Sequence, residues 1–96
     1  MSVTIAGIDF AHHHYDARGD VLYLNTAGYD GAKPPFKALP TPEGHNVEYD
    51  EDGHVVSLIL VNARWLLERD GELTIGWPPA RLAPDQLAEV LAPVGQ

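Results

Sequence analysis

Residues 55–61, Val-Val-Ser-Leu-Ile-Leu-Val, are an almost unbroken apolar run. A half-exposed strand alternates apolar and polar residues; a continuous run suits a central strand covered on both faces. Each cover has to be another element of the chain or another subunit. The run follows Glu51-Asp52-Gly53, whose glycine can adopt positive φ, and before that Val47 and Tyr49 alternate with Asn46, Glu48 and Asp50. That pattern predicts a β-hairpin over 45–61.

The other elements follow from the same periodicities. Residues 10–24 read as a second hairpin, with His12 and His14 on one face, Tyr15 on the other, and turn residues Asp16 to Asp20 between the arms. Residues 1–9 read as an edge strand or arm. Residues 27–44 carry Gly28, Gly31, Pro34, Pro35, Pro40, Pro42 and Gly44, and prolines that fix φ and lack a donor predict a long loop without regular structure. Leu73, Ile75 and Trp77 alternate with polar residues. The preceding Asp70-Gly71 favours a tight turn, so 64–77 is taken as a third hairpin. Residues 64–69 also fit helical spacing through Ala63, Leu66 and Leu67, which leaves helix as the alternative. Residues 84–92 read as a short helix, with Pro84 in its first turn, Asp85 complementing the dipole and Pro93 stopping it. The expected architecture is α+β, mainly β: a twisted antiparallel sheet of about five to six strands with one C-terminal helix, in a single domain over 1–96.

Composition excludes several classes of function. The chain has no cysteine, which removes disulfide frameworks, thiolate catalysis and cysteine-ligated metal clusters. A net charge of −8, with its six basic residues scattered, argues against nucleic acid as a partner. It leaves a basic protein as a possible partner. No apolar run reaches the roughly 20 residues of a membrane span, and the first residues lack the pattern of a signal peptide. A cytoplasmic protein is expected. A domain this small buries only about 60–65% of its unfolded surface, so self-association would add stability.

Two segments carry a family resemblance. Tyr15-Asp16-Ala17-Arg18-Gly19-Asp20-Val21-Leu22-Tyr23-Leu24 is similar to the YD…ADALYI opening of the bacterial family called domain of unknown function 2283. Residues 47–60, from Val47-Glu48-Tyr49-Asp50-Glu51-Asp52-Gly53 through Leu60, resemble its DYDEDGRVVGIEIL stretch. Together they span residues 15–62, about half the chain. Gly19 stands where the family has Ala, and Ser57 where it often has Gly; the loop between the motifs is longer and richer in proline. The resemblance implies the same strand pairs and assigns no catalytic residue. Through relatives encoded at times beside small toxin-like proteins, it also implies an antitoxin-like role as one form of partner binding.

Candidate chemistry is limited. His12 and His14 share one strand face, and His45 and His54 flank the hairpin over 45–61, where a short ladder would bring them near each other. These four are the candidate ligands of a divalent metal, the alternative to an absence of cofactor. Asp16, Asp20, Asp50, Glu51 and Asp52 are read as turn formers, because Asp bonds its own backbone and tolerates left-handed φ. The run at 50–53 lacks the remaining ligands of a calcium loop. No nucleophile elbow, phosphate loop or dinucleotide fingerprint occurs, so no catalytic residue is assigned and an enzyme is the less favoured class. Tyr23 and Trp77 are expected in the core. Tyr29, Phe36 and Trp65 are the candidates for contact with a partner or ligand, and a pocket beneath loop 27–44 would have Tyr29 and Phe36 as its wall. The leading expectation is a non-catalytic interaction or regulatory module, acting as a homodimer or with a partner protein.

Overall fold

A computed structural model of the chain describes residues 3–29, 35–76 and 79–91. Its strands are β1 (Val3–Ile5), β2 (Ile8–Phe10), β3 (His12–Asp16), β4 (Val21–Asn25), β5 (Lys37–Pro40), β6 (Asn46–Tyr49), β7 (Val55–Val61), β8 (Leu73–Gly76) and β9 (Pro79–Leu82). Helix α1 spans Ala63–Asp70 and α2 spans Pro84–Leu87. The expected class, α+β and mainly β, holds. Five strands form one antiparallel sheet in the order β3-β4-β7-β6-β5, and β1-β2 and β8-β9 are separate two-stranded ribbons.

The apolar run is the central strand, as its composition demands. Directly paired residues of antiparallel strands share a face. The pairs Tyr15↔Leu22, Leu22↔Leu60, Leu24↔Leu58 and Val47↔Leu58 therefore build one inner surface. Leu22, Leu24, Val47, Leu58 and Leu60 on it are wholly buried. Each buried leucine contributes about 2 kcal/mol of transfer free energy. Val3, Ile5 and Phe10 of the first ribbon, Ala63 and Leu67 of α1, Leu73, Ile75 and Leu82 of the second ribbon, and Leu87, Val90 and Leu91 complete this core. The outer face is only partly covered: Ile59 and Val61 are half-buried and Tyr23, expected in the core, is 37% exposed. Ser57 lies on that outer face yet is buried, its hydroxyl donating to Asn25 Oδ1 at 2.8 Å.

Several expectations need correction. Residues 64–69 are helical, not a strand, and no hairpin spans 64–77. Ala63 and Leu67, four apart, both reach the core, and Gly71 at φ 74° ends the helix with its N–H bonded to Leu67 O at 2.9 Å. Asp70-Gly71 is thus a left-handed helix end, where glycine adopts positive φ without steric cost. Gly71→Ala is expected to cost about 1 kcal/mol and lower the thermal midpoint by about 4–8 °C, read by a thermal melt. The partner of β8 is β9, not residues 64–69, with Gly76 opposite Pro79. Trp77 and Pro78, including the expected core role of Trp77, lie outside the described residues.

The segment 27–44 is not all loop. Lys37–Pro40 pairs with β6, because an edge strand tolerates a proline whose missing donor has no ladder partner to lose. Thr41 and His45 then close a tight connection through Thr41 N–H to His45 O at 2.7 Å and His45 N–H to Thr41 Oγ1 at 3.1 Å. The N-terminal residues form their own hairpin, turning at Ala6 (φ 53°) and Gly7 (φ 78°). Phe10 therefore belongs to that ribbon, and the second hairpin begins at His12. The C-terminal helix proper is one turn, extended as turns to Leu91, whose N–H bonds Leu87 O at 3.0 Å. Ala92 and the expected stop at Pro93 lie outside the described residues.

Candidate functional site

A cavity of about 460 Å³ is lined by Tyr29, Pro35, Phe36, Tyr49, Asp50, Glu51 and Val56. Four elements converge there. Beyond β4 the ladder continues one residue, Thr26 N–H donating to Val56 O at 2.9 Å, and the Tyr29 N–H then bonds Thr26 O at 3.0 Å. That turn sets Tyr29 at the rim. On the other side Phe36 N–H bonds Tyr49 O at 3.0 Å, which fixes Phe36 just ahead of β5. Between them the β6–β7 register slips at Glu48/Tyr49, so that Val56 is the extra residue of a bulge. A bulge bends its strand and re-aims side chains, and here it turns Tyr49 and Val56 toward one cavity.

The chemistry of this lining is aromatic and acidic. Phe36 is 68% exposed, an unusual position for a phenylalanine. Tyr49 is buried, and its hydroxyl has no hydrogen-bond partner among the described residues. Such a group carries a desolvation cost of about 1–3 kcal/mol unless something pairs with it. Lys37 Nζ already sits 5.6 Å from the Tyr49 ring centroid, so one face of this aromatic meets a cation from the chain itself. Asp50 and Glu51 place two carboxylates at the cavity edge. The His54 and Asp52 amides, with the His54 ring, hold the Asp50 carboxyl below its usual range against a smaller upward push from desolvation. Asp50 Oδ1 accepts those amides at 2.9 Å each, which makes it the organiser of the β6–β7 turn as well as part of the rim.

The four histidines are not assembled into one site. His12 and His14 are exposed on the outer face of β3, His14 lying 6.0 Å from the Tyr23 ring, centroid to centroid. His45 enters β6 at the far end of its hairpin and is 1% exposed, its Nδ1 accepting the Val61 N–H at 3.0 Å. His54 lies in the turn at the other end. The strand between them spans on the order of 15 Å, so the hairpin separates His45 and His54. His54 instead meets Asp50 and Asp52, the three offering donor atoms within 4.8 Å of one another. Asp50 spends its acceptor oxygens on the turn: besides the two amides, its Oδ2 stands 3.6 Å from His54 Nδ1.

Asp20 does more than form a turn. Its Oδ1 accepts the Tyr15 hydroxyl at 2.7 Å and the Arg64 N–H at 2.8 Å, and its Oδ2 the Trp65 N–H at 3.0 Å. Asp20 is therefore the N-terminal cap of α1, delivered from 44 residues away. The residue next to the helix, Asn62, is left-handed (φ 58°) and gives no side-chain cap. Asp16 does form its turn, accepting the Arg18 N–H at 3.1 Å. Trp65 is 51% exposed, with the Arg69 guanidinium 4.5 Å over its ring, and lies apart from the cavity residues.

Of the candidate ligand-contact residues, the structure brings Tyr29 and Phe36 together and leaves Trp65 on α1. Tyr49, Val56, Asp50 and Glu51 complete the site and were not singled out for it. Alternation in β6 places Tyr49 on the inner face, but a bulge leaves no signature in residue type. No helix among the described residues is long and apolar enough to cross a membrane. Compared with family models, curated proteins and solved structures, the chain has no match in any of the three.

Proposed function

We propose that this chain is a non-catalytic binding module that seats a positively charged organic group in the Tyr29–Phe36–Tyr49 cavity. The observation that carries the reading is the lining itself: three aromatic rings with two carboxylates at the edge. Aromatic faces attract cations through their quadrupole, by about 0.5–2 kcal/mol per well-placed ring. The net charge of −8 adds a long-range attraction of the same sign. The ligand is either a small quaternary or primary amine or the lysine or arginine side chain of a basic partner protein. The second source fits an interaction module of the cytoplasm, and it is the form in which an antitoxin-like role would operate. The resemblance of residues 15–62 to the domain of unknown function 2283 belongs to the same proposal and adds no catalytic group to it. Self-association is its remaining part.

Amide chemical-shift titration separates these outcomes. Choline and Nα-acetyl-lysine methylamide are the two probes, and 3,3-dimethylbutanol, the uncharged isostere of choline, is the control. The expected result is a saturable shift at Phe36, Tyr49 and Glu51 with a charged probe and a response at least several-fold weaker with the alcohol. Preference for choline indicates a small amine; preference for the lysine probe indicates a partner side chain. Phe36→Ala is expected to weaken the response about ten-fold, and Glu51→Gln about three-fold. Equal binding of choline and the neutral alcohol, or no shift at these residues with any probe, rejects the reading.

A further inference from the structure

The two edges of the five-stranded sheet are not equivalent. The β5 edge is guarded: it is four residues long, begins at Lys37 and ends at Pro40, which has no donor. Charged residues, prolines and short length are the usual protection of an edge. The β3 edge has five residues, His12 to Asp16, with neither lysine nor proline. Its first three side chains are exposed.

The backbone pattern fixes which groups β3 presents. Thr26 donates to Val56 across β4 and β7, and alternate residues of an antiparallel strand bond to opposite neighbours. In β4, Leu22 and Leu24 therefore face β7, while Val21, Tyr23 and Asn25 bond to β3. Their partners there are Asp16, His14 and His12. The N–H and C=O groups of His13 and Tyr15 are left pointing outward from the sheet edge.

We infer that β3 pairs antiparallel with β3 of a second copy about a two-fold axis at His14. This deepens the self-association part of the reading and is independent of the cavity. Centring on His14 is the one register that overlaps all five residues. It sets His13 opposite Tyr15 of the other copy, so the outward groups of both strands find their bonds. It sets His12 opposite Asp16 of the other copy, both on the outer face, an imidazole against a carboxylate at each end of the contact. A shift by two residues loses this match and leaves two residues of each strand unpaired. This imidazole–carboxylate hydrogen-bonding match matters because two copies of net charge −8 repel one another.

The sequence makes the register testable, since it contains no cysteine. In the inferred dimer His14 faces itself in a non-hydrogen-bonded pair, with Cα atoms about 4.5 Å apart, within reach of a disulfide. His14→Cys is expected to crosslink to a covalent dimer under mild oxidation. His12→Cys, about four residues out of register with itself, is expected to crosslink at least ten-fold more slowly. His13→Pro deletes only an outward donor, which an edge strand tolerates, and should give a folded monomer in sedimentation equilibrium where the parent chain self-associates. Overlay of the far-ultraviolet circular dichroism spectra checks that the variant is folded. A strictly monomeric parent overturns the inference, and so does a His13→Pro chain that is folded and still dimeric. Equal crosslinking at 12 and 14 overturns the register and, with it, the contact, while leaving the cavity reading untouched.

Discussion

Replacing Asp20 by alanine is expected to remove about 3 kcal/mol of stability and to lower the thermal midpoint by on the order of 15 °C. The carboxylate holds three donors at once: the Tyr15 hydroxyl and the Arg64 and Trp65 amides in the first turn of α1, while the Asp20 carbonyl accepts the Ala63 amide. Loss of a helix cap alone costs about 1 kcal/mol, and an orphaned half-buried tyrosine hydroxyl adds about as much again or more. Natural domains have only about 5–15 kcal/mol in hand, so the variant loses a substantial part of its margin. Asp20→Asn keeps the shape and one acceptor oxygen and should lose less than half as much. Urea unfolding of the three proteins at neutral pH measures this; an alanine variant as stable as the parent would show that α1 needs no cap.

The same network dictates how stability responds to extremes of pH. Burial pushes the Asp20 carboxyl up, but the Tyr15 hydroxyl, the Trp65 and Arg64 amides and the Arg64 guanidinium together hold it below its ordinary value. A depressed acid stabilises the fold above its unfolded pKa near 3.9, and this contribution is lost as pH falls through the folded value. Tyr15 moves the other way: burial, then the bond to Asp20, push its pKa up to about 12. A raised tyrosine stabilises below its unfolded pKa of about 10 and loses that contribution as pH climbs toward 12. Tyr15→Phe should flatten the alkaline limb, which absorbance-monitored titration of the tyrosines records directly.

His45 governs the near-neutral range. The Val61 N–H donates to its Nδ1, which leaves the ring proton on Nε2, buried and without a partner among the described residues. Protonating Nδ1 would break that bond and place a charge in the core. Burial accordingly lowers the His45 pKa, and Glu43 pulls it only part of the way back. The unfolded chain takes up a proton near pH 6.5 that the folded chain refuses, so this stabilisation is complete above about 6.5 and declines as pH falls toward the folded value. The urea midpoint is expected to drop between pH 7.5 and 5.5 in the parent chain and to change much less in His45→Gln. At pH 7.5 His45→Ala should cost about 2–4 kcal/mol, combining a cavity with an unpaired Val61 amide. An identical pH slope in parent and glutamine variant would remove His45 from the account.

These effects are large because they join segments far apart in the chain, and that is also why residue type alone did not reveal them. The apolar run 55–61 had to become a central strand, since few other structures bury so many consecutive side chains, and the hairpin at 45–61 followed from alternation around a glycine turn. Local signals of that kind act over a few residues and survive in the sequence. They also made Tyr29 and Phe36 candidates for a pocket wall, and both line the cavity.

Where two local signals competed, tertiary contact decided. Residues 64–69 read as strand with helix as the alternative, and Asp70-Gly71 suits a hairpin turn or a helix end. Asp20, 44 residues upstream, satisfies the amides of a helix and of no strand there, and the helix buries Ala63 and Leu67. His45 and His54 are symmetric about a turn in sequence, yet one is buried and accepts the Val61 amide while the other stands exposed in the turn. Tyr49 and Val56 reach the cavity through a bulge whose extra residue is a matter of ladder register. What the sequence by itself determined was thus the set of strands whose burial it could not avoid, since hydrophobic periodicity is a property of neighbouring residues. What only the tertiary structure decided was which polar groups those strands bring together, since a hydrogen bond or a charge contact depends on where distant backbone arrives.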